Sequence, residues 1–567
     1  MGVKTDGKPK SSKSKKIKKN DDLSDGSDGS DDDNPEKTKA VKGNGKILFI
    51  VESKKKVEKI QPWIGNKYIL MSCLGHIIDL DKHSMAINFE DDFKPSYKVN
   101  EGKEKIVKDI KSQYKKAGNI ILASDPDREG EMIAWSIAKE LGLKNPKRVT
   151  FIEISKNAVL TALKTPTKID NNLVDAQKMR RLLDRIIGYT ISPLLWKMIG
   201  NGQVSAGRVQ SVVVKLIAEK EDKIEQFFKE ENKAFFKFSG EFSDKNKKVY
   251  KSQLYTTNKQ KEVLNDDSDA ELEKDEKPKI VKKKKTAKED ESEDDAESED
   301  EGDIKKGTVV KMFKTTDAKA LMKNIMKSAY KITGISERDS IRKPSPPFMT
   351  STLQQEASSK LGMNAKRTMM AAQHLYEAGH ITYLRTDSLT LSKEALDDIQ
   401  KYVLSKFGKD FHKKTEYKSK SKNSQEAHEA VRPTDFDKVG LSQNGGDKIG
   451  NDEVRLYNLI WKRTVASQMT PAKFKVMTIQ ISISKEKDYY FVTTTDRNIF
   501  PGFLRVYNIQ QKEEASDSDG SDSDSDDSNN LYSRIELDEG SFNGLGISPS
   551  TTIITHSLQL AKCLLSL

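Results

Sequence analysis

The chain has 567 residues, of which 35% are hydrophobic and 33% charged, with 99 lysines and arginines against 87 aspartates and glutamates and a net charge of +12. Its 2 cysteines, Cys73 and Cys563, stand far apart with no C-x-x-C pair, which excludes a disulfide framework or a zinc ribbon built from them. No apolar run approaches the ~20 residues of a membrane helix, and the hydrophilic N-terminus carries no secretory apolar core, so an intracellular, reducing setting is expected.

At ~150 residues per domain the length suggests three or four domains. The positive balance suits partners with phosphate backbones, although solubility alone explains it equally well. Three stretches read as disordered: residues 1–45, 258–306 and 511–530, each dense in charge and poor in apolar residues. The lysine blocks within the first two suit nuclear-localisation signals, DNA-contacting arms or plain solvated linkers.

The first ordered block opens with KILFIVE, a continuous apolar run suited to a strand buried on both faces. A second run, NIILASD, predicts a strand over Asn119–Ser124, and a helical pattern follows from Glu131 to Leu141. Strand, acidic loop and helix predict an α/β domain with a parallel sheet. Glu52 ends the first strand, and Asp125-Pro126-Asp127-Arg128-Glu129-Gly130-Glu131 ends the second. Ligands bind beyond the carboxyl ends of such strands. If the two strands are neighbours, Glu52, Asp125, Asp127 and Glu129 converge there. Packed carboxylates repel unless a cation sits among them or some protonate. Hard oxygen donors suit Mg²⁺, with Pro126 and Gly130 bringing backbone close to the ion. The simpler alternative is an acidic turn capping the helix.

Residues 171–225 read as mostly helical. Arg180-Arg181-Leu182-Leu183-Asp184-Arg185-Ile186-Ile187-Gly188-Tyr189 sets an apolar face against a face of arginines, and Trp196, Ser205, Arg208 and Gln210 follow. Arginines beside aromatic rings suit a single-stranded DNA groove, and equally a solvated basic face. Residues 232–257, 307–313 and 472–510 show the alternation of strands, and 350–405 return to helix. Met369, Ala372 and Tyr376 share one helical face, and Gly379 marks its stop. Beyond it, on an extended chain, Tyr383 and Arg385 point to the same side. A tyrosine hydroxyl beside a guanidinium is a reasonable nucleophile for a phosphodiester, although a tyrosine in a strand is more often a packing residue. His428, in Gln425–Pro433, can orient a phosphate, relay a proton or serve structure alone.

Taken together these runs resemble the type IA DNA topoisomerases. Asp125–Glu131 after a buried strand resembles a Toprim domain. VESKKK resembles the opening motif V-E-S-x-x-K, placing Lys56 on its lysine, although the family usually has proline where this chain has Lys54. LGHIIDL, with His76, resembles G-H-I-x-D-L, and EAGHITYLRTDS resembles the active-site motif whose nucleophile is here Tyr383. QEAHEAVRP resembles Q-E-A-H-E-A-I-R-P. The arginine helix and SAGRVQS resemble R-R-x-x-D-R-x-x-G-Y and S-A-G-R-V-Q-S.

The resemblance implies a multidomain α/β + α + β fold: a Toprim α/β domain over 46–156, then a type IA toroidal core over 169–567. That core divides into a helical DNA-groove domain (169–225), a β-rich arch (226–345 and 472–510) and a nucleophile domain (346–471). It implies a monomeric isomerase that relaxes negatively supercoiled DNA without ATP through a 5′-phosphotyrosine intermediate. The catalytic residues would be Tyr383, Glu52, Arg385, Lys56 and His428. Mg²⁺ would sit at Glu52, Asp125 and Asp127. DNA would meet His76, Arg180, Arg181, Asp184, Tyr189, Trp196, Ser205, Arg208 and Gln210. The family continues with P-P-x-R-Y-x-E-A-S-L and G-I-G-R-P-S-T-Y, where this chain has SPSTTIITHSLQLAKCLLSL. An incomplete C-terminal part is therefore expected, from a reading frame cut or shifted near 535–550. A cleavage-only or DNA-binding remnant is the competing reading, and a Toprim nuclease or primase a third.

Overall fold

The computed structural model describes residues 45–229, 236–243, 249–257, 307–312, 314–417, 429–441 and 449–507. The charged stretches at 1–44, 258–306 and 511–530, the run Gln425–His428 and the C-terminal tail lie outside the described residues.

The first block is built on a parallel sheet. Its strands are β1 (Ile47–Val51), β2 (Tyr68–Ser72), β7 (Asn119–Leu122) and β8 (Lys147–Arg148), in the order β2-β1-β7-β8. β1 and β7 are direct neighbours, with Ile47 opposite Asn119 and Ile50 opposite Leu122. The apolar run of β1 has a simple cause. Phe49 and Val51 enter one core while Leu48 and Ile50 enter another on the opposite face. Helices α1 (Lys54–Ile64), α2 (Glu104–Ala117), α3 (Arg128–Leu141) and α4 (Lys156–Lys164) accompany the sheet. Two small antiparallel pairs, β3 (Ile78–Leu80) with β6 (Tyr97–Val99) and β4 (Ile87–Asn88) with β5 (Lys94–Pro95), lie between β2 and α2 in sequence.

Two predicted boundaries move. β7 ends at Leu122 rather than Ser124, and α3 begins at Arg128 rather than Glu131. Both shifts follow from Arg148 and Asp127. The fully buried guanidinium of Arg148 takes the carbonyls of Leu122, Ser124, Asp125 and Val149 and pairs with Glu131 at 2.8 Å, so the chain leaves the strand ladder early. The Asp127 side chain caps α3 by accepting from the Gly130 N–H at 2.8 Å.

α5 (Asn171–Ile199) and α6 (Arg208–Lys229) follow, and α5 packs on α3. The second sheet is antiparallel, in the order β11-β10-β14-β13-β12 with β9 on β10. It comprises β9 (Ser239–Ser243), β10 (Val249–Thr256), β11 (Thr308–Val309), β12 (Tyr330–Arg342), β13 (Ala472–Ile483) and β14 (Glu486–Phe500). A helix the strand alternation left out, α7 (Thr315–Met326), buries Ala318, Leu321 and Ile325 against it. The predicted alternation over 472–510 likewise stops at Phe500, and α12 (Leu504–Tyr507) follows. Between these strands in sequence come α8 (Thr350–Leu361), α9 (Ala365–Glu377), α10 (Lys393–Lys406) and α11 (Asn451–Ser467). Their core is continuous with one face of the parallel sheet: Phe49, Ile121, Phe151, Leu375, Tyr376, Tyr383 and Trp461 belong to one cluster. Among the described residues no helix is long and apolar enough to cross a membrane.

Replacing Arg148 with methionine leaves Glu131 and four carbonyls without their donor. Chemical denaturation of Arg148→Met should show a loss of about 3–5 kcal/mol, the cost of breaking a buried charge pair. A loss within about 0.5 kcal/mol of zero, as at ordinary surface positions, would contradict this role.

Candidate active site

The carboxyl ends of β1 and β7 meet the loop after α9. Glu52 follows β1 directly, and its Oε1 accepts the backbone N–H of Asp125 at 2.9 Å. Asp125 is buried, and its Oδ1 accepts from both the Lys56 ammonium and the Tyr376 hydroxyl, the latter at 3.0 Å. Lys56 is itself buried and lies 3.6 Å from Glu52 Oε2. Asp127 divides its two oxygens. Oδ1 caps α3, while Oδ2 accepts the Tyr383 hydroxyl at 2.6 Å and lies 3.5 Å from Arg385 Nη1. The acidic loop therefore caps a helix, as the simpler reading has it, and faces Tyr383 as well. Gly130 is required by the loop itself: a Cβ there would lie 2.1 Å from the Asp125 carbonyl oxygen.

Tyr383 is buried, and no regular strand surrounds it. A single bridge pairs Ile381 with Pro433, and the Tyr383 N–H donates to Ile152 O at 2.8 Å. This loop lies on the segment after β8 so closely that a Cβ on Gly379 would sit 2.6 Å from Ile154 O, and Gly379 has φ +75°. Arg432, buried, adds a pair with Glu153 at 3.0 Å and accompanies Glu429. Although the chain is not a strand, Tyr383 and Arg385 do reach the same carboxylate.

Glu52, Asp125, Asp127, His76, Arg180, Tyr383 and Arg385 line one cleft of about 1010 Å³, with Lys366, Met370 and Gln373 of α9 on its wall. Lys56 reaches the cleft only through the carboxylates it pairs with. Glu129 turns from the Glu52–Asp125 pair toward His76 Nε2 (3.2 Å), Gln177 (3.1 Å) and Arg180 (3.9 Å). An adjoining hollow of about 360 Å³ shares His76, Glu129 and Arg180 and adds Arg181 and Asp184. Tyr189, Trp196, Ser205, Arg208 and Gln210 line neither. Arg181 grips Asp79 through two hydrogen bonds of 2.8 and 2.6 Å, and Arg208 pairs with Asp184 at 3.1 Å. The Tyr189 hydroxyl donates to Lys82 O, the Trp196 indole N–H to Val204 O, and the Ser205 hydroxyl to Gln210 Oε1. His428 lies outside the described residues.

The electrostatics are those of crowded, largely buried charges. Burial, then the neighbouring Asp125 carboxylate, pushes the Glu52 carboxyl up to about 8 against the pull of Lys56. Burial also penalises Asp125, but Lys56 and the hydrogen bonds it accepts win and hold it below the usual carboxylate range. For Lys56, burial is outweighed by Asp125 and Glu52, so its ammonium stays charged. Burial, then Asp125 and Asp127, drives the Tyr383 phenol far above its ordinary value. Among the described residues no three acidic, histidine or cysteine groups enclose a metal by themselves. The Glu52–Asp125 pair nevertheless fits Mg²⁺, which is commonly held by one or two carboxylates plus waters and substrate phosphates. The mutual repulsion that raises Glu52 is the repulsion a divalent ion would relieve.

Comparison with known proteins identifies the family. The Toprim domain family matches residues 47–154, and the DNA topoisomerase family matches 168–296 and 287–533. A prokaryotic-type DNA topoisomerase 1 of Acanthamoeba polyphaga mimivirus is 42% identical over 468 residues, covering 81% of this chain and 50% of the viral protein. The full-length topoisomerase I structure from Thermotoga maritima superposes with a TM-score of 0.61 at 31% identity, covering 81% of this chain and 67% of that one. The chain belongs to the type IA DNA topoisomerase family. It spans about half the length of its viral relative.

Two site residues escaped sequence reasoning. Tyr376 looked like a core residue on an apolar helix face; the available signal was its hydroxyl, which must find a partner once buried. Arg148 follows a lysine in a short, unremarked stretch and carries no local signal.

In metal-free protein, the raised Glu52 value has a definite sign. The folded state binds a proton that the unfolded state has released between about 4.5 and 8, so stability contributed by Glu52 is lost as pH rises through that window. Thermal melts from pH 5 to 8.5 should therefore fall more steeply for the wild type than for Glu52→Gln. Parallel curves would contradict the burial of a protonated Glu52.

Proposed function

We propose that this chain cleaves one DNA strand by transesterification through Tyr383 and thereby relaxes negatively supercoiled DNA without ATP. The observation that carries the reading is the Tyr383 hydroxyl held at 2.6 Å on Asp127 with Arg385 beside the same carboxylate. A phenol whose proton is so strongly retained needs a base in contact, and Asp127 Oδ2 is placed to take it. Tyr383 Oη then attacks the phosphorus, the bond to the 3′ oxygen breaks, and that oxygen takes up the proton Asp127 received, so the strand end leaves as a 3′ hydroxyl. The 5′ phosphate stays on the tyrosine. The reverse attack by that hydroxyl restores the strand and returns the proton to Tyr383. Arg385, more than half exposed, is free in direction to meet the phosphate oxygens and offset their charge. The Lys56 ammonium adds positive charge at the carboxylate end of the cleft. Glu52 and Asp125, with Asp127 near them, would hold Mg²⁺, which supplies charge stabilisation and substrate orientation when bound. His76 and Arg180 line the cleft where the strand would run. Tyr189, Trp196, Ser205, Arg208 and Gln210, with Arg181 and Asp184, would contact DNA farther along the groove.

The test uses a single-stranded oligonucleotide labelled at either end, then supercoiled plasmid, with Mg²⁺. The 3′-labelled fragment should become attached to protein and the 5′-labelled fragment should be released. Tyr383→Phe should abolish the attachment, and Arg385→Ala should slow it by about 10²-fold or more, as expected for removal of a charge-stabilising donor. Plasmid relaxation alongside the adduct would establish the full cycle; an adduct alone would restrict the chain to cleavage and resealing. A wild type that forms no adduct would sink the proposal.

A further inference from the structure

We propose that Tyr376 is a positioning residue for the cation site: its hydroxyl, reaching from α9 to Asp125, orients that carboxylate and ties cation affinity to the docking of the nucleophile-bearing helices on the parallel-sheet block. The inference rests on the Glu52–Asp125 pair being a cation site, as the proposed function has it.

Tyr376 is fully buried, and its ring packs edge-on against Tyr383 at 5.2 Å and 67°. Phenylalanine would fill the same volume, so packing does not call for the hydroxyl. Yet that hydroxyl donates at 3.0 Å to a carboxylate 251 residues away in sequence, in the other block. Lys56 donates to the same oxygen, Oδ1, and its Nζ lies 5.2 Å from the centre of the Tyr376 ring. An ammonium has three donors on a flexible stem and holds a carboxylate loosely in angle. The phenol adds a donor fixed by a rigid, buried ring. Two donors converging on Oδ1 restrict the orientation of the carboxylate, and neither takes Oδ2. Burial and Asp125 keep the Tyr376 hydroxyl protonated, so it adds direction without adding charge.

The contact also crosses a seam. Tyr376 stands in the last turn of α9, just before the loop that carries Tyr383, and Asp125 stands three residues beyond the end of β7. Any separation of the two blocks breaks the hydrogen bond. By linkage, a cation bound between Glu52 and Asp125 then favours the docked arrangement by the same factor by which docking favours the cation.

The experiment compares the full-length chain with Tyr376→Phe. Mg²⁺ affinity is read without DNA by isothermal titration calorimetry, together with the Mg²⁺-dependent rise in Tm and the Mg²⁺ dependence of 3′-label transfer. Loss of a hydrogen bond to a charged group should weaken Mg²⁺ affinity by about tenfold or more and shrink the metal-dependent rise in Tm. A purely structural hydroxyl would lower Tm equally with and without Mg²⁺ and leave the affinity unchanged; either result overturns the proposal. Should Tyr376→Phe fail to fold, a ring-fluorinated tyrosine at 376 keeps the shape and strengthens the donor, and an unchanged Mg²⁺ affinity there overturns it equally. The outcomes separate from those of strand cleavage. Tyr376-dependent affinity without any adduct would remove the cleavage reading alone, and an adduct with Tyr376-independent affinity would remove this one alone. A wild type without Mg²⁺ affinity would also overturn it.

Discussion

Two carboxylates brought together out of water cannot both remain ionised unless positive charge comes with them. That constraint organises this site. Asp125 keeps its charge because the buried Lys56 is beside it. Glu52, with Lys56 only at 3.6 Å and a carboxylate for a neighbour, keeps a proton instead. Arg148 is buried just beneath, but it is spent on four backbone carbonyls and Glu131 rather than on either of these groups. The loop is thus held in shape by one cation and charged by another. That division leaves the site one positive charge short of neutralising Glu52, which is the state a divalent ion would complete.

The same economy governs Asp127. One oxygen is committed to the helix N-terminus, where a carboxylate is favourable on its own account. The other is left for Tyr383. Because the helix fixes the first oxygen, the position of the second follows, and the Tyr383 hydroxyl is aimed by secondary structure rather than by a flexible side chain. The opposite wall is equally constrained. The Tyr383 loop hangs on Ile152 O, fits under Ile154 O only because residue 379 is glycine, and is clamped nearby by Arg432 on Glu153.

How much of this was legible follows from the range of each interaction. The parallel strands and the acidic loop between strand and helix were readable because their signals are local: apolar runs, and carboxylates at a strand end. Neighbouring β1 and β7 then brought Glu52 and Asp125 together without further assumption. The boundaries of β7 and α3 were not readable, because Arg148, well beyond the loop in sequence, decides where the strand stops. Tyr376 was hidden for a related reason. Its ring obeys the helix period and so reads as core, while the partner that gives its hydroxyl a purpose is 251 residues away. Glu129 illustrates the reverse error. It sits in the acidic motif, yet from the first turn of α3 it turns to His76, Gln177 and Arg180 instead of to the carboxylate pair.

The arginines of α5 separate by what already holds them. Arg185 is buried, and its guanidinium donates to the carbonyls of Leu80, Asp81 and Ser84. A phosphate would have to displace all three and reach a closed position, so Arg185 fastens the helix to the sheet block. Arg181 is held by two short bonds to Asp79, and a phosphate can recruit it only by competing with a carboxylate of matched fork geometry. Arg180 has no such hold: its contact with Glu129 is 3.9 Å, nearly half of its side chain is exposed, and it lines both the cleft and the adjoining hollow. Equal residues in a sequence motif are therefore unequal in the fold. On the proposed function, desolvation and prior pairing would put Arg180 first in line for an incoming strand and Arg181 behind it, while Arg185 pins the helix in place.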